Sequence, residues 1–226
     1  PIGGKGDQLP LMETRRINDD IIEMLAADLP VIHDDDVARR EAVATLLADR
    51  SDMLVVAGLG SPAYDLHAAG DHDANFYLWG AMGGAALIGL GLAQAQPERP
   101  VLVLTGDGEQ LMGLGGLATI GIAAPANLTV VVIDNGHFGE TGMQESHTGK
   151  GLELAQIASA CGFTETSVIT DMDGVEALRT TLRKPGKGPR LHSLKVRAET
   201  IARSLPPRDA VFLKNRFRAV LGLSVS

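Results

Sequence analysis

Two short polar turns hold the residues of this chain best suited to chemistry. Gly106-Asp107-Gly108-Glu109 follows the apolar run VLVLT, and Asp134-Asn135-Gly136-His137 follows LTVVVI. Glycines at 106 and 108 permit a tight turn and close backbone approach. The N–H groups of Gly108, Glu109 and Gln110 would then open outward at the start of a helix. Such a turn suits an anion, and a diphosphate held there calls for a divalent cation. The Asp107 carboxylate and the Asn135 amide oxygen are hard ligands that suit Mg2+. This chemistry requires the two turns to converge.

The surrounding elements make that convergence reasonable. MLVVA from Met53, VLVLT from Val101, LTVVVID from Leu128, TSVIT from Thr166 and LHSLKV from Leu191 are short runs, apolar on both faces, separated by helical patterns. Runs of this kind suit a mostly parallel sheet covered on both sides, a three-layer α/β/α arrangement joined by βαβ crossovers. Helices are expected over Asp36–Asp49, Met82–Ala95, Gln110–Ile122, Glu153–Cys161, Gly174–Arg183 and Ala210–Leu221, with Asp34, Asp35 and Asp36 as N-caps for the first. In an open parallel sheet, ligands gather beyond the carboxyl ends of the strands, where both turns fall. Residues 34–226 read as one domain with a closing helix. Residues 1–33 read as an N-terminal arm whose first eleven residues are processed or non-native, with Met12 as a start.

Composition excludes several classes. The formal charge is −8 with no basic stripe, so nucleic acid is not an expected partner. The only cysteine is Cys161, which rules out an internal disulfide and a cysteine-ligated cluster and fits a reducing cytoplasm. Residues 76–97 carry no charge, but their five glycines and two glutamines argue for a helix buried against a sheet rather than in a membrane.

Taken together, GDG closing one strand, 26 intervening residues, and Asn135 closing the next strand resemble the signature of thiamine-diphosphate enzymes. The resemblance implies that Asp107, Asn135 and the backbone carbonyl of His137 hold Mg2+, which bridges to the diphosphate beside Gly106, Gly108 and Glu109. Glu109 stands where related chains often carry a smaller polar residue, and only its N–H is expected to be used. Gly80-Ala81-Met82-Gly83 resembles the element that bends the cofactor into a V. By that likeness Met82 is the wedge beneath the rings, the Gly80 carbonyl accepts from the 4'-amino group, and Gly83 belongs to the same contact. Gly60 and Ser61 would add diphosphate donors. The bent cofactor deprotonates its own C2, and the resulting ylid attacks a 2-oxoacid.

The wider pattern, NFYLWGAMG, HFGETGMQESHT and the closing LPP and KNRF segments, resembles the phosphonopyruvate and sulfopyruvate decarboxylase group, in particular its separate cofactor-binding subunits. In that group a glutamate from a pyrimidine-binding domain activates the cofactor. The resemblance therefore implies a partner (alpha) subunit and an α2β2-like assembly acting on a small 2-oxoacid. The loop Gly139-Glu140-Thr141-Gly142-Met143-Gln144 and His147 would line the cofactor and substrate region. Alternatives are a carboligase of the acetolactate-synthase type using the same residues, and a regulatory subunit that binds the cofactor without turnover. Plainer readings stand beside these. Asp107 would cap its helix, Met82 would fill the core, and Asp65, His67, Asp71, His72 and Asp73 would form a solvated acidic loop.

Overall fold

In a computed structural model of the chain, residues 36–224 are described, and the expected arm 1–33 lies outside them. The elements run α1 (Arg39–Leu47), β1 (Leu54–Ala57), α2 (Ser61–Ala68), β2 (Asn75–Tyr77), α3 (Ala85–Ala95), β3 (Val101–Gly106), α4 (Asp107–Met112), α5 (Gly116–Ala123), β4 (Leu128–Asp134), β5 (His137–Phe138), β6 (Gln144–Glu145), α6 (Leu154–Ala160), β7 (Glu165–Ile169), α7 (Met172–Thr181), β8 (Arg190–Lys195) and α8 (Ala210–Val220). Six strands form one sheet in the order β2-β1-β3-β4-β8-β7, every neighbouring pair parallel.

Alternation along each strand explains why the runs are apolar throughout. Val55, Ala57, Leu102, Leu104, Val131 and Ile133 face one core, together with Ala42 and Leu46 of α1, Leu66 of α2 and Val175 of α7. Leu54, Val56, Val101, Val103, Val130 and Val132 face the other, together with Leu90 of α3, Ile120 of α5 and Leu154 of α6. Helices on both faces leave the central strands β1, β3 and β4 with hardly a position facing water, as expected of βαβ architecture, whereas the edge strand β7 is largely exposed. Among the described residues, no helix is long and apolar enough to cross a membrane.

Several expected boundaries move. The first helix begins at Arg39 with Ala38 as its N-cap, and Arg39 turns inward to an acidic partner. The helix expected over residues 110–122 divides at Gly113–Gly115, where the Gly113 backbone packs directly against that of Gly83. The uncharged stretch 76–97 combines the end of edge strand β2, a loop and α3. The acidic loop is not fully solvated. Asp65 is completely buried and paired with Arg39 at 3.0 Å and Arg40 at 3.3 Å, and Asp71 pairs with Arg216 at 2.6 Å.

One buried pair on the sheet carries a pH prediction. His192 on β8 lies beside Ser167 on β7, their Nδ1 and Oγ 2.8 Å apart, and its Nε2 is buried with no partner. Burial, helped by nearby Arg190, pushes the imidazole down to about 4. A base whose folded value lies below its unfolded one stabilises the fold fully above the unfolded value. That contribution is lost as pH falls from about 6.5 towards 4, up to about 3 kcal/mol. Thermal unfolding of wild type should therefore lose stability over this window more steeply than His192→Gln. Parallel acid limbs would show that His192 is not the group responsible.

Candidate functional site

Strand register creates the site. Leu104 pairs with Val131 and Gly106 with Ile133, so β3 and β4 end level and place Asp107 beside Asp134 and Asn135. Ala57 pairs with Leu104, which brings the turn after β1 to the same height. β1 lies between β2 and β3, so the chain reverses direction across the sheet at this point, where open α/β sheets form their clefts. A cavity with about 630 Å3 of empty space, open solvent at its mouth included, occupies this place.

Most of the predicted residues meet there. Asp107, Asn135 and His137 line one wall with Gly106, Gly108 and Glu109. Gly139, Glu140 and Thr141 form the opposite lip, and Ser61 stands at the start of α2. Met82 also lines the cavity and is 47% exposed, which removes the reading of it as a core residue. Gly60, Gly80 and Gly83 are not on the wall. Gly60 supports the Glu140 side chain from behind, Gly83 packs on the end of α4, and Gly80 has open space at its Cα. His147 is exposed and is not among the residues lining the cavity, its ring edge-on to Phe138. Its neighbours Ser146 and Thr148 both turn inward, which turns the residue between them outward.

These two hydroxyls are the site's main surprise. Ser146 Oγ donates to Asp107 Oδ2 at 2.5 Å, and Thr148 Oγ1 lies 3.0 Å from the same oxygen and 2.7 Å from Asp134 Oδ1. Lys195 neutralises Asp134 at 2.6 Å and reaches Glu153 at 3.3 Å. No cation among the described residues pairs with Asp107, which is 3% exposed. Burial raises its carboxyl, and the neighbouring Asp134 charge raises it further, against the pull of Ser146 and Thr148. Uncompensated charge in a polar cavity is costly unless a cation arrives. Asn135 Oδ1 accepts from His137 N at 3.0 Å, which curls the β4 turn and keeps the amide oxygen at the cavity wall. The donor set therefore fits a hard divalent cation.

Arg39 is a second residue not foreseen from sequence. It lines the cavity from α1, 5% exposed, with Nη1 donating to Ser61 Oγ at 3.0 Å and its guanidinium paired with Asp65. It adds a cation at the Ser61 end of the cleft. After β8 the chain returns across the strand ends and ties the rim together. Arg40 donates to the Ala202 carbonyl at 2.8 Å, Arg203 pairs with Glu140 at 3.0 Å, and Trp79 Nε1 donates to the Pro207 carbonyl at 2.7 Å.

Comparison with known proteins agrees with this arrangement. The family model for the thiamine pyrophosphate enzyme, C-terminal TPP binding domain, matches residues 63–191. A sulfopyruvate decarboxylase subunit beta from Methanocaldococcus jannaschii is 47% identical over 110 residues, 49% of this chain and 58% of the relative. A phosphonopyruvate decarboxylase from Streptomyces viridochromogenes is 39% identical over 184 residues, 80% of this chain and 45% of the relative. The chain spans about half the length of these two curated relatives. A thiamine diphosphate-dependent 4-hydroxybenzoylformate decarboxylase from Rhodococcus jostii shares the fold, with a TM-score of 0.60 at 17% identity over 75% of this chain and 34% of that one. With more than half of its length matched by that model, the chain belongs to the thiamine pyrophosphate enzymes, as their C-terminal TPP-binding domain.

Proposed function

We propose that this chain is the cofactor-binding subunit of a Mg2+-dependent 2-oxoacid decarboxylase acting on a substrate of the sulfopyruvate or phosphonopyruvate type. The observation that carries the reading is the buried Asp107 carboxylate, unpaired by any described cation, on the same cavity wall as Asn135 and His137. Named activities of the relatives support the reaction class.

Thiamine diphosphate, when bound, supplies a nucleophilic carbon and an electron sink for the pair released with carbon dioxide. The protein's part is to hold and orient. Asp107 and Asn135 would hold Mg2+ with the His137 carbonyl, while Ser146 and Thr148 fix the carboxylate. Lys195 neutralises Asp134, which leaves the charge of Asp107 available to the metal. Arg39 and Ser61 face the anionic end of the cleft, and Met82 supplies an apolar support for the rings. Holding the reacting groups in this way accounts for part of the barrier reduction through proximity.

The mouth bears an apolar rim. Met82, Leu87, Ile88 and Met112 are exposed, and Gly83 contacts the end of α4 while Gly116 contacts Leu87, so they form one patch. Exposed apolar patches beside a cleft mark protein contacts. This rim supports a partner subunit that carries the pyrimidine-binding domain and the activating glutamate.

The test is product analysis. The chain, a pyrimidine-domain partner, thiamine diphosphate and Mg2+ are incubated with sulfopyruvate or phosphonopyruvate. Equimolar carbon dioxide and the corresponding aldehyde are expected. A coupled product from two 2-oxoacids would instead identify a carboligase built on the same residues.

A further inference from the structure

Among the described residues, Arg39 is the only arginine or lysine on the wall of the cleft, where Asp107, Glu109 and Glu140 supply three acids. A site meant for an anion therefore depends on this one guanidinium and the metal. Nη1 donates to Ser61 Oγ at 3.0 Å and to the Glu199 carbonyl at 3.4 Å. Nη2 makes no hydrogen bond to a described residue. Ser61 Oγ accepts from Arg39 and donates to no described group, so its own proton remains available to a ligand. Two donors thus stand side by side at the turn after β1.

The charge of Arg39 is only partly answered inside the protein. Asp65 lies 3.0 Å from Arg39 Nε and 3.3 Å from Arg40 Nε, and among the described residues it is the only carboxylate paired with either guanidinium. The hydrogen bond of this trio runs from Arg40 to Asp65 Oδ1, whereas Arg39 Nε faces Oδ2 without hydrogen-bond geometry. Two guanidiniums, which stay charged at neutral pH, share one carboxylate, and one positive charge is left over. Arg40 leads away to the Ala202 carbonyl at 2.8 Å, so the surplus is presented at Arg39. A buried charge without a full partner is costly, which favours an anion from outside.

We infer that Arg39, with Ser61 beside it, is the specificity residue that reads the terminal phosphoryl group of the diphosphate and so separates diphosphate from monophosphate ligands. The inference rests on the cofactor reading above and deepens it by adding a second point of charge recognition to the metal turn. The terminal group carries most of the diphosphate charge and has the most free oxygens, which a guanidinium fork matches with charge-assisted bonds. A thiamine monophosphate lacks that group and gains nothing from Arg39.

Arg39→Met and Arg39→Lys are compared in the full chain with Mg2+. Methionine keeps the bulk and leaves Asp65 its bond to Arg40, while lysine keeps the charge and loses the fork. Calorimetry measures affinity for thiamine diphosphate, inorganic diphosphate and thiamine monophosphate, with urea unfolding alongside. In Arg39→Met both diphosphates should bind about ten- to hundred-fold more weakly, as for loss of a hydrogen bond to a charged group, while thiamine monophosphate changes less than about three-fold. Arg39→Lys should recover part of the loss for both diphosphates. Equal losses for all three ligands, or unchanged diphosphate affinity, would overturn the assignment and leave Arg39 a structural partner of Asp65. Should Arg39→Met fail to fold, Ser61→Ala decides: it should show the same preference, reduced to about three- to ten-fold, and equal losses there are equally fatal. A wild-type chain that does not prefer thiamine diphosphate to inorganic diphosphate would sink the cofactor reading, and the inorganic diphosphate arm would still decide the role of Arg39.

Discussion

Asp107→Ala is expected to reduce Mg2+-dependent affinity for thiamine diphosphate by at least about a hundred-fold, since breaking a buried charge pairing costs about 3–5 kcal/mol. The carboxylate is buried and held by Ser146 and Thr148, and no described cation answers it. These are the conditions under which a metal ligand contributes most. The substitution also removes one acceptor from those two hydroxyls, which keep each other and Asp134 Oδ1, at a cost of about 1 kcal/mol in stability. Titration calorimetry should therefore be paired with chemical unfolding, so that a folded variant lacking affinity is distinguished from an unfolded one. Asp107→Asn separates the effects further: it retains a partner for the hydroxyls and removes the charge. Wild-type affinity in a folded Asp107→Ala protein would remove the metal assignment at this position.

The second large effect concerns the proposed partner subunit. With thiamine diphosphate, Mg2+ and a 2-oxoacid, the chain alone should turn over at no more than about a hundredth of the rate reached with a pyrimidine-domain partner, because a positioned proton-transfer group contributes about 10²- to 10⁴-fold. The acids at this cleft already have tasks: Asp107 faces the metal turn, Glu140 pairs with Arg203, and Glu109 is buried against Gly58. The exposed Met82, Leu87, Ile88 and Met112 beside the mouth provide the surface on which a partner would bring its own glutamate. The measurement is carbon dioxide release as the partner is titrated in. Full turnover by this polypeptide alone would refute the split site.

How much of this was legible from residues depends on the range of the interaction involved. Strand runs were readable because both faces of a covered parallel sheet demand apolar side chains, a local pattern that periodicity detects. The two polar turns were readable because their residues are contiguous and lie at strand ends. Met82 was singled out by its place in Gly80-Ala81-Met82-Gly83, and it lines the cavity with its side chain exposed. Boundaries fared less well. The split between α4 and α5 falls at the glycines 113, 115 and 116, a local break that the helical reading of residues 110–122 ran through, and the Gly83 backbone packs against it from some thirty residues away.

Composition and periodicity were enough to determine a covered parallel sheet with two polar turns at its strand ends, because each rests on residues near one another in the chain. Tertiary structure alone decided that Ser146 and Thr148 hold Asp107, that Arg39 enters the cleft from α1, that His147 faces outward, and that the Glu109 carboxylate lies on Gly58. In each case the partners are far apart in sequence. Their meeting follows from strand order and register, which place separate turns side by side at one end of the sheet.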